Sequence, residues 1–121
     1  MEQTILIIDD DVDFQFMIGS LLRMNGYNVK ALLDGNFNAA LTMASECDII
    51  LLDVDLPGMN GVDLGEKLRS APETSKIPIM IVSGHNEGDA MFHHTPANAF
   101  IQKPFSLSGL IDKIQSLLVP A

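Results

Sequence analysis

Basic residues are scarce. Only seven of the 121 residues are lysine or arginine, against sixteen aspartates and glutamates, which leaves a formal charge of -9. A chain so charged repels a phosphate backbone, which argues against this domain gripping nucleic acid itself. Cysteine is nearly absent too. The single Cys47 excludes an internal disulfide and fits a reducing, cytoplasmic setting. Its place just before an apolar run marks a small core residue rather than a reactive thiol. No apolar run approaches the ~20 residues of a membrane span, and Met1-Glu2-Gln3-Thr4 lacks the basic region of a signal peptide. What is present is apolar material, 47% of the residues, which rules out a disordered chain. The length sets one domain, residues 1–121.

The most informative stretch is Ile49-Ile50-Leu51-Leu52-Asp53. Four consecutive large apolar residues predict a strand buried on both faces, as in a parallel sheet. The run ends at a carboxylate, and Pro57-Gly58 and Asn60-Gly61 then break the chain before the next helix. Thr4-Ile5-Leu6-Ile7-Ile8 is a second such strand and ends in Asp9-Asp10-Asp11. Asp11 or Asp13 can cap the helix that follows, whose apolar positions are Phe14, Met17, Ile18, Leu21 and Leu22. Asn25-Gly26 stops it.

Tyr27 to Leu32 alternates apolar and polar, the mark of an edge strand. Asp34-Gly35-Asn36 opens a helix carrying Phe37, Ala40, Leu41 and Ala44 on one face. After the Asp53 strand and a loop, a helix is expected from about Val62 to Arg69, then a polar connection over Ser70–Ser75. Ile77–Val82 is the next apolar run and leads into Ser83-Gly84, with Pro78 tolerable near its start. His85–Pro96 is weakly periodic and reads as a fourth helix. Ala99–Gln102 is a short strand before Lys103-Pro104, and a clear last helix carries Leu107, Leu110, Ile111, Ile114, Leu117 and Leu118. Five strands alternating with five helices make an α/β chain wound around a parallel sheet.

The carboxyl ends of parallel strands share one edge of the sheet, where open α/β sheets bind ligands. Asp9, Asp10, Asp53, Ser83 and Lys103 all stand at such ends. Like charges at ~4 Å repel by roughly 4 kcal/mol at an effective dielectric of 20, so clustered carboxylates call for a cation. Oxygen ligands without histidine or cysteine favour a hard ion, and a site open to substrate favours Mg2+. A carboxylate beside Mg2+, a hydroxyl and an ammonium is a phosphoryl acceptor. Asp53 is then the nucleophile, with Lys103 and Ser83 stabilising the transferring oxygens.

Five segments in order carry a resemblance to a known family: Ile7-Ile8-Asp9-Asp10, Leu51-Leu52-Asp53, Leu56-Pro57-Gly58-Met59-Asn60-Gly61, Val82-Ser83-Gly84 and Phe100-Ile101-Gln102-Lys103-Pro104-Phe105. Over its whole length the sequence resembles the response-regulator receiver domains of two-component signalling. The resemblance implies a flavodoxin-like five-stranded parallel sheet in the order 2-1-3-4-5, with Tyr27–Leu32 at an edge. It implies direct Mg2+ ligation by Asp10, Asp53 and the backbone carbonyl of Asp55, with Asp9 acting largely through water. It implies phosphorylation of Asp53 by a histidine kinase or a phosphotransfer protein, a switch made of Ser83 and Phe100, and a cis peptide at Lys103-Pro104.

The family's usual partner face is the last two helices and last strand. The implied partners are therefore a downstream effector or an output domain of its own, and a second copy in a homodimer. The last helix ends within a few residues of the C-terminus, which leaves a stand-alone regulator or a part of a longer protein. Ser83 stands where many relatives have threonine, Phe100 lacks a phenol oxygen, and Pro96 replaces a glycine usual before Ala97. Asp55 and His85 occupy positions that tune phosphoryl lifetime in the family, while a solvated loop carboxylate is the plain reading of Asp55. His93-His94 reads as solvated surface, and Met59 and Met91 as apolar filler or partner contacts.

Three other functions compete. Asp53-Val54-Asp55 is similar to the nucleophile motif of haloacid-dehalogenase phosphatases, but it follows the third apolar run and no cap domain fits the length. A flavodoxin-like electron carrier shares the architecture, but three aspartates after the first strand would repel its flavin phosphate. A degenerate receiver that only docks would keep the fold, although all the phosphorylation residues are present.

Overall fold

Every residue of the strand Ile49–Asp53 is buried, and the rest of the chain is laid out around it. The computed structural model describes residues 2–84 and 97–118. In chain order these form β1 (Thr4–Ile8), α1 (Val12–Met24), β2 (Asn28–Leu32), α2 (Phe37–Ala44), β3 (Ile49–Asp53) and the two-residue strands β4 (Asp55–Leu56) and β5 (Met59–Asn60). Then come α3 (Gly61–Ser70), β6 (Ile79–Ser83), β7 (Ala99–Gln102) and α4 (Leu107–Leu118). The five long strands form one parallel sheet in the order β2-β1-β3-β6-β7. Among those five this is the expected 2-1-3-4-5, and β2 is the edge that its alternating pattern predicted.

The two-residue period of a strand divides the core cleanly. Leu6, Ile8, Ile50, Leu52, Ile79 and Ile81 face one way and pack with Ala40 and Ala44 of α2 and Leu64 and Leu68 of α3. Their sequence neighbours Ile5, Ile7, Ile49, Leu51, Met80 and Val82 face the other way, against Ile18 and Leu22 of α1 and Leu110 and Ile114 of α4. Each such fully buried aliphatic side chain contributes about 1.5–3 kcal/mol of transfer free energy, so the central strands dominate the stability. Cys47 belongs to the first core, its Sγ–H donating to the Met43 carbonyl at 3.1 Å, and burial pushes its thiol pKa up.

Helix starts follow the capping residues. Asp11, rather than Asp13, caps α1 by accepting from the Phe14 N–H at 3.1 Å, and Asn36 and Asn60 cap α2 and α3 through the N–H groups of Ala39 and Val62. Gly26 follows α1 at φ 93°, a left-handed conformation that glycine adopts without strain.

Some boundaries differ from the sequence reading. The expected loop after Asp53 contains a small antiparallel ladder, with Asp55 opposite Asn60 and Leu56 opposite Met59, turned by Gly58 at φ 71°. The strand expected from Ile77 begins at Ile79. Pro78 stays outside it, and its carbonyl accepts from the Ile50 N–H at 2.9 Å. The helix read over His85–Pro96 lies outside the described residues, as do His85, Met91, His93 and His94. No helix among the described residues is long and apolar enough to cross a membrane.

Candidate functional site

Parallel pairing carries four strand ends to one edge of the sheet. The register sets Ile8 beside Leu52, Asp53 beside Val82, and Ser83 beside Gln102. Asp9 and Asp10 therefore follow β1 next to Asp53 at the end of β3, Ser83 ends β6, and Lys103 follows β7. Carboxylate oxygens of Asp9, Asp10 and Asp53 lie within 4.8 Å of one another. Asp9 and Asp53 are buried at 2% and 7% exposure, whereas Asp10 is exposed. Lys103, 94 positions from Asp9 in sequence, brings its Nζ to 3.0 Å from Asp9 Oδ2.

The backbone holds these groups in place. Asp9 Oδ1 accepts from the Asp11 N–H at 2.9 Å, and Asp53 Oδ1 accepts from the Asp55 N–H at 3.2 Å. The Lys103 N–H donates to the Ser83 carbonyl at 2.7 Å, and the Lys103–Pro104 peptide is cis. Burial pushes the Asp53 carboxyl above its ordinary range, and the charges of Asp9 and Asp55 push it the same way. The Asp55 N–H and the Lys103 ammonium oppose them. A partly buried carboxylate held against two others is a group that gains from a cation. The donor set is all carboxylate oxygen, two members shielded and one open, and it fits a hard divalent ion that retains water.

Ser83 is fully buried at the end of β6. Phe100 lies on β7 opposite Ile81, half-buried against the first core, and its carbonyl accepts from the Lys113 Nζ of α4 at 2.6 Å. Asp55 is exposed, outside the carboxylate trio.

Three further residues shape the site. Gln15 is buried in α1, and its Nε2 donates to the carbonyls of Ile7 at 2.7 Å, Leu32 at 3.1 Å and Asp9 at 3.2 Å. Its place on the 15-18-22 face of the helix, beside Ile18 and Leu22, was the available signal. Gly61 presses against the end of β3 itself, since a Cβ there would lie 2.1 Å from the Asp53 carbonyl oxygen and 2.7 Å from the Val54 Cα. Phe14, read only as a core position, sets its ring under Lys103 with Nζ 4.2 Å from the centroid.

The sequence model for the response regulator receiver domain matches residues 5–115. The chain belongs to this family. As a receiver domain it is 34% identical over 122 residues to the DNA-binding response regulator MtrA of Mycobacterium tuberculosis, covering 98% of this chain and 51% of that protein. It is 30% identical over 116 residues to the DNA-binding dual master transcriptional regulator RpaA of Synechocystis, covering 94% and 48% respectively. The chain thus spans about half the length of these relatives. A solved receiver domain of a Pseudomonas aeruginosa sensor histidine kinase superposes with a TM-score of 0.86 at 27% identity, covering 98% of each chain, and holds a magnesium ion in its active site cleft. Membership of the receiver family sets aside the phosphatase and flavin-carrier alternatives.

Proposed function

We propose that this receiver domain takes a phosphoryl group onto Asp53 from a histidine kinase or a histidine phosphotransfer protein. The convergence of Asp9, Asp10, Asp53 and Lys103 on one sheet edge carries this reading. Asp10, Asp53 and the backbone carbonyl of Asp55 would hold Mg2+ directly, with Asp9 reaching it largely through water. The bound ion supplies positive charge against the acid cluster and the incoming phosphoryl oxygens. An Asp53 oxygen attacks phosphorus as the donor's N–P bond breaks, leaving the histidine with its electron pair to take up a proton. No general base is needed, because the attacking carboxylate is already ionised. Lys103 and the Ser83 hydroxyl donate to the transferred oxygens.

Ser83 and Phe100 form the switch. The hydroxyl moves to the phosphoryl group, and the ring follows inward by packing alone. The domain acts as a phosphorylation-dependent switch in the cytoplasm, and its formal charge of -9 leaves direct nucleic-acid contact to other chains or domains. Its output goes to an effector, to an output domain, or to a second copy through the surface of β7 and the last helices.

Intact mass after incubation with Mg2+ and acetyl phosphate tests the acceptor. The expected result is a gain of one phosphoryl group, lost in Asp53→Asn and in EDTA. No gain, together with no binding of beryllofluoride and Mg2+, refutes it and leaves a docking module.

A further inference from the structure

Lys103 is held from two sides. Its Nζ lies 3.0 Å from Asp9 Oδ2 and 4.2 Å from the centroid of the Phe14 ring. The ring is braced in turn by Phe105, edge to face, with centroids 6.2 Å apart and planes at 89°. The backbone N–H of Phe14 is the one that Asp11 caps, which fixes the ring to the start of α1, a few residues after Asp9 and Asp10. The Lys103 side chain is 29% exposed, and a partly sheltered ammonium over a ring face is attracted by the ring's quadrupole.

An aliphatic residue would keep the apolar packing here but lose both the ring face under Lys103 and the edge-to-face contact with Phe105. Beside the ring runs an open apolar groove of about 500 Å³, shared with Met17, Leu21, Phe105 and Leu107, where a leucine would be accommodated. The two contacts also differ in kind. A divalent cation in the carboxylate trio competes with Lys103 for Asp9, whereas a neutral ring holds the ammonium whatever charge the carboxylates carry.

We propose that Phe14 is a positioning residue for Lys103, keeping its ammonium at the rim of the acid cluster before a phosphoryl group arrives. Its kinetic consequence rests on Asp53 being the phosphoryl acceptor. Two measurements separate the ring contact from that reading.

The first is the side-chain NMR signal of Lys103, assigned with Lys103→Arg, in protein without phosphodonor. Its Cε and Hε resonances are displaced upfield by the ring relative to Phe14→Leu, and Phe14→Tyr restores the displacement. The second is the phosphorylation rate with acetyl phosphate and Mg2+. Phe14→Leu slows it about three- to tenfold, the range that one cation–π contact corresponds to, and Phe14→Tyr recovers it. Absence of the upfield displacement in the wild type overturns the perch. A displaced lysine together with a wild-type rate in Phe14→Leu overturns the positioning role. A displaced lysine in a wild type that takes no phosphoryl group refutes the acceptor reading, and the kinetic role with it.

Discussion

Removing the charge of Asp53 should make the metal-free domain more stable. At the limiting separation of 4.8 Å, two carboxylates repel by roughly 3.5 kcal/mol at an effective dielectric of about 20. Asp53 faces two such neighbours, but neither acts at full strength. Asp9 is already paired with Lys103 at 3.0 Å, and Asp10 is exposed to screening solvent. The net strain relieved by Asp53→Asn is then about 1–3 kcal/mol. The asparagine oxygen can still accept from the Asp55 N–H, so the substitution strips charge and spares the hydrogen bond.

A chain of 121 residues changes its melting temperature by about 4 °C per kcal/mol. Thermal unfolding in EDTA near neutral pH should therefore place Asp53→Asn about 4–12 °C above the wild type. Added Mg2+ should narrow the gap, because a ligand that binds only the folded state stabilises the protein that binds it better. A variant that melts at or below the wild type in EDTA would show that the trio is not under electrostatic strain, and the case for a cation there would fail.

Three other outcomes are expected. Gly61→Ala should cost about 3 kcal/mol in urea unfolding, since its Cβ would meet the Asp53 carbonyl oxygen at 2.1 Å and neither backbone can yield; Mg2+ affinity should fall with it. Without metal, the raised Asp53 pKa means that the folded state binds the proton more tightly than the unfolded chain. Its contribution to stability therefore falls as pH rises from about 4, the unfolded carboxyl value, through the raised folded value. The stability difference between wild type and Asp53→Asn in EDTA should widen over that window and then level off. Asp55→Asn, beside the acceptor, should change the rate at which phosphorylated protein loses its phosphoryl group, followed by intact mass over time; an unchanged rate would make Asp55 an ordinary solvated carboxylate.

The sheet and the acid trio were legible because their determinants are local and repeated. Four of the apolar runs stop at a polar residue, and parallel pairing turns those four stops into one place. The edge assignment of Tyr27–Leu32 worked for the same reason, since one strand's own alternation reports what covers it. The ladder of Asp55–Leu56 with Met59–Asn60 was hidden, because two residues carry no period and Pro57-Gly58 reads equally as an open loop. Phe14 and Gly61 were visible as a core aromatic and a helix breaker. Their contacts with Lys103 and with the Asp53 carbonyl depend on how α1 and α3 settle on the sheet, which no short window of sequence encodes. Gln15 is not among the apolar positions that periodicity picks out on α1, so its burial and its three carbonyl contacts appear only in the folded chain.

Gln15 also changes how the edge of the sheet should be regarded. β2 supplies none of the acidic or basic groups of the site, and an edge strand has one neighbour instead of two. Yet one side-chain amide bridges the Leu32 carbonyl at its tip to the carbonyls of Ile7 and Asp9. Fraying of β2 would thus pull on the peptide that presents the first carboxylate, and tension at that carboxylate would be felt at the rim. The edge strand β2 is in this sense a mechanical lever on the carboxylate side of the site.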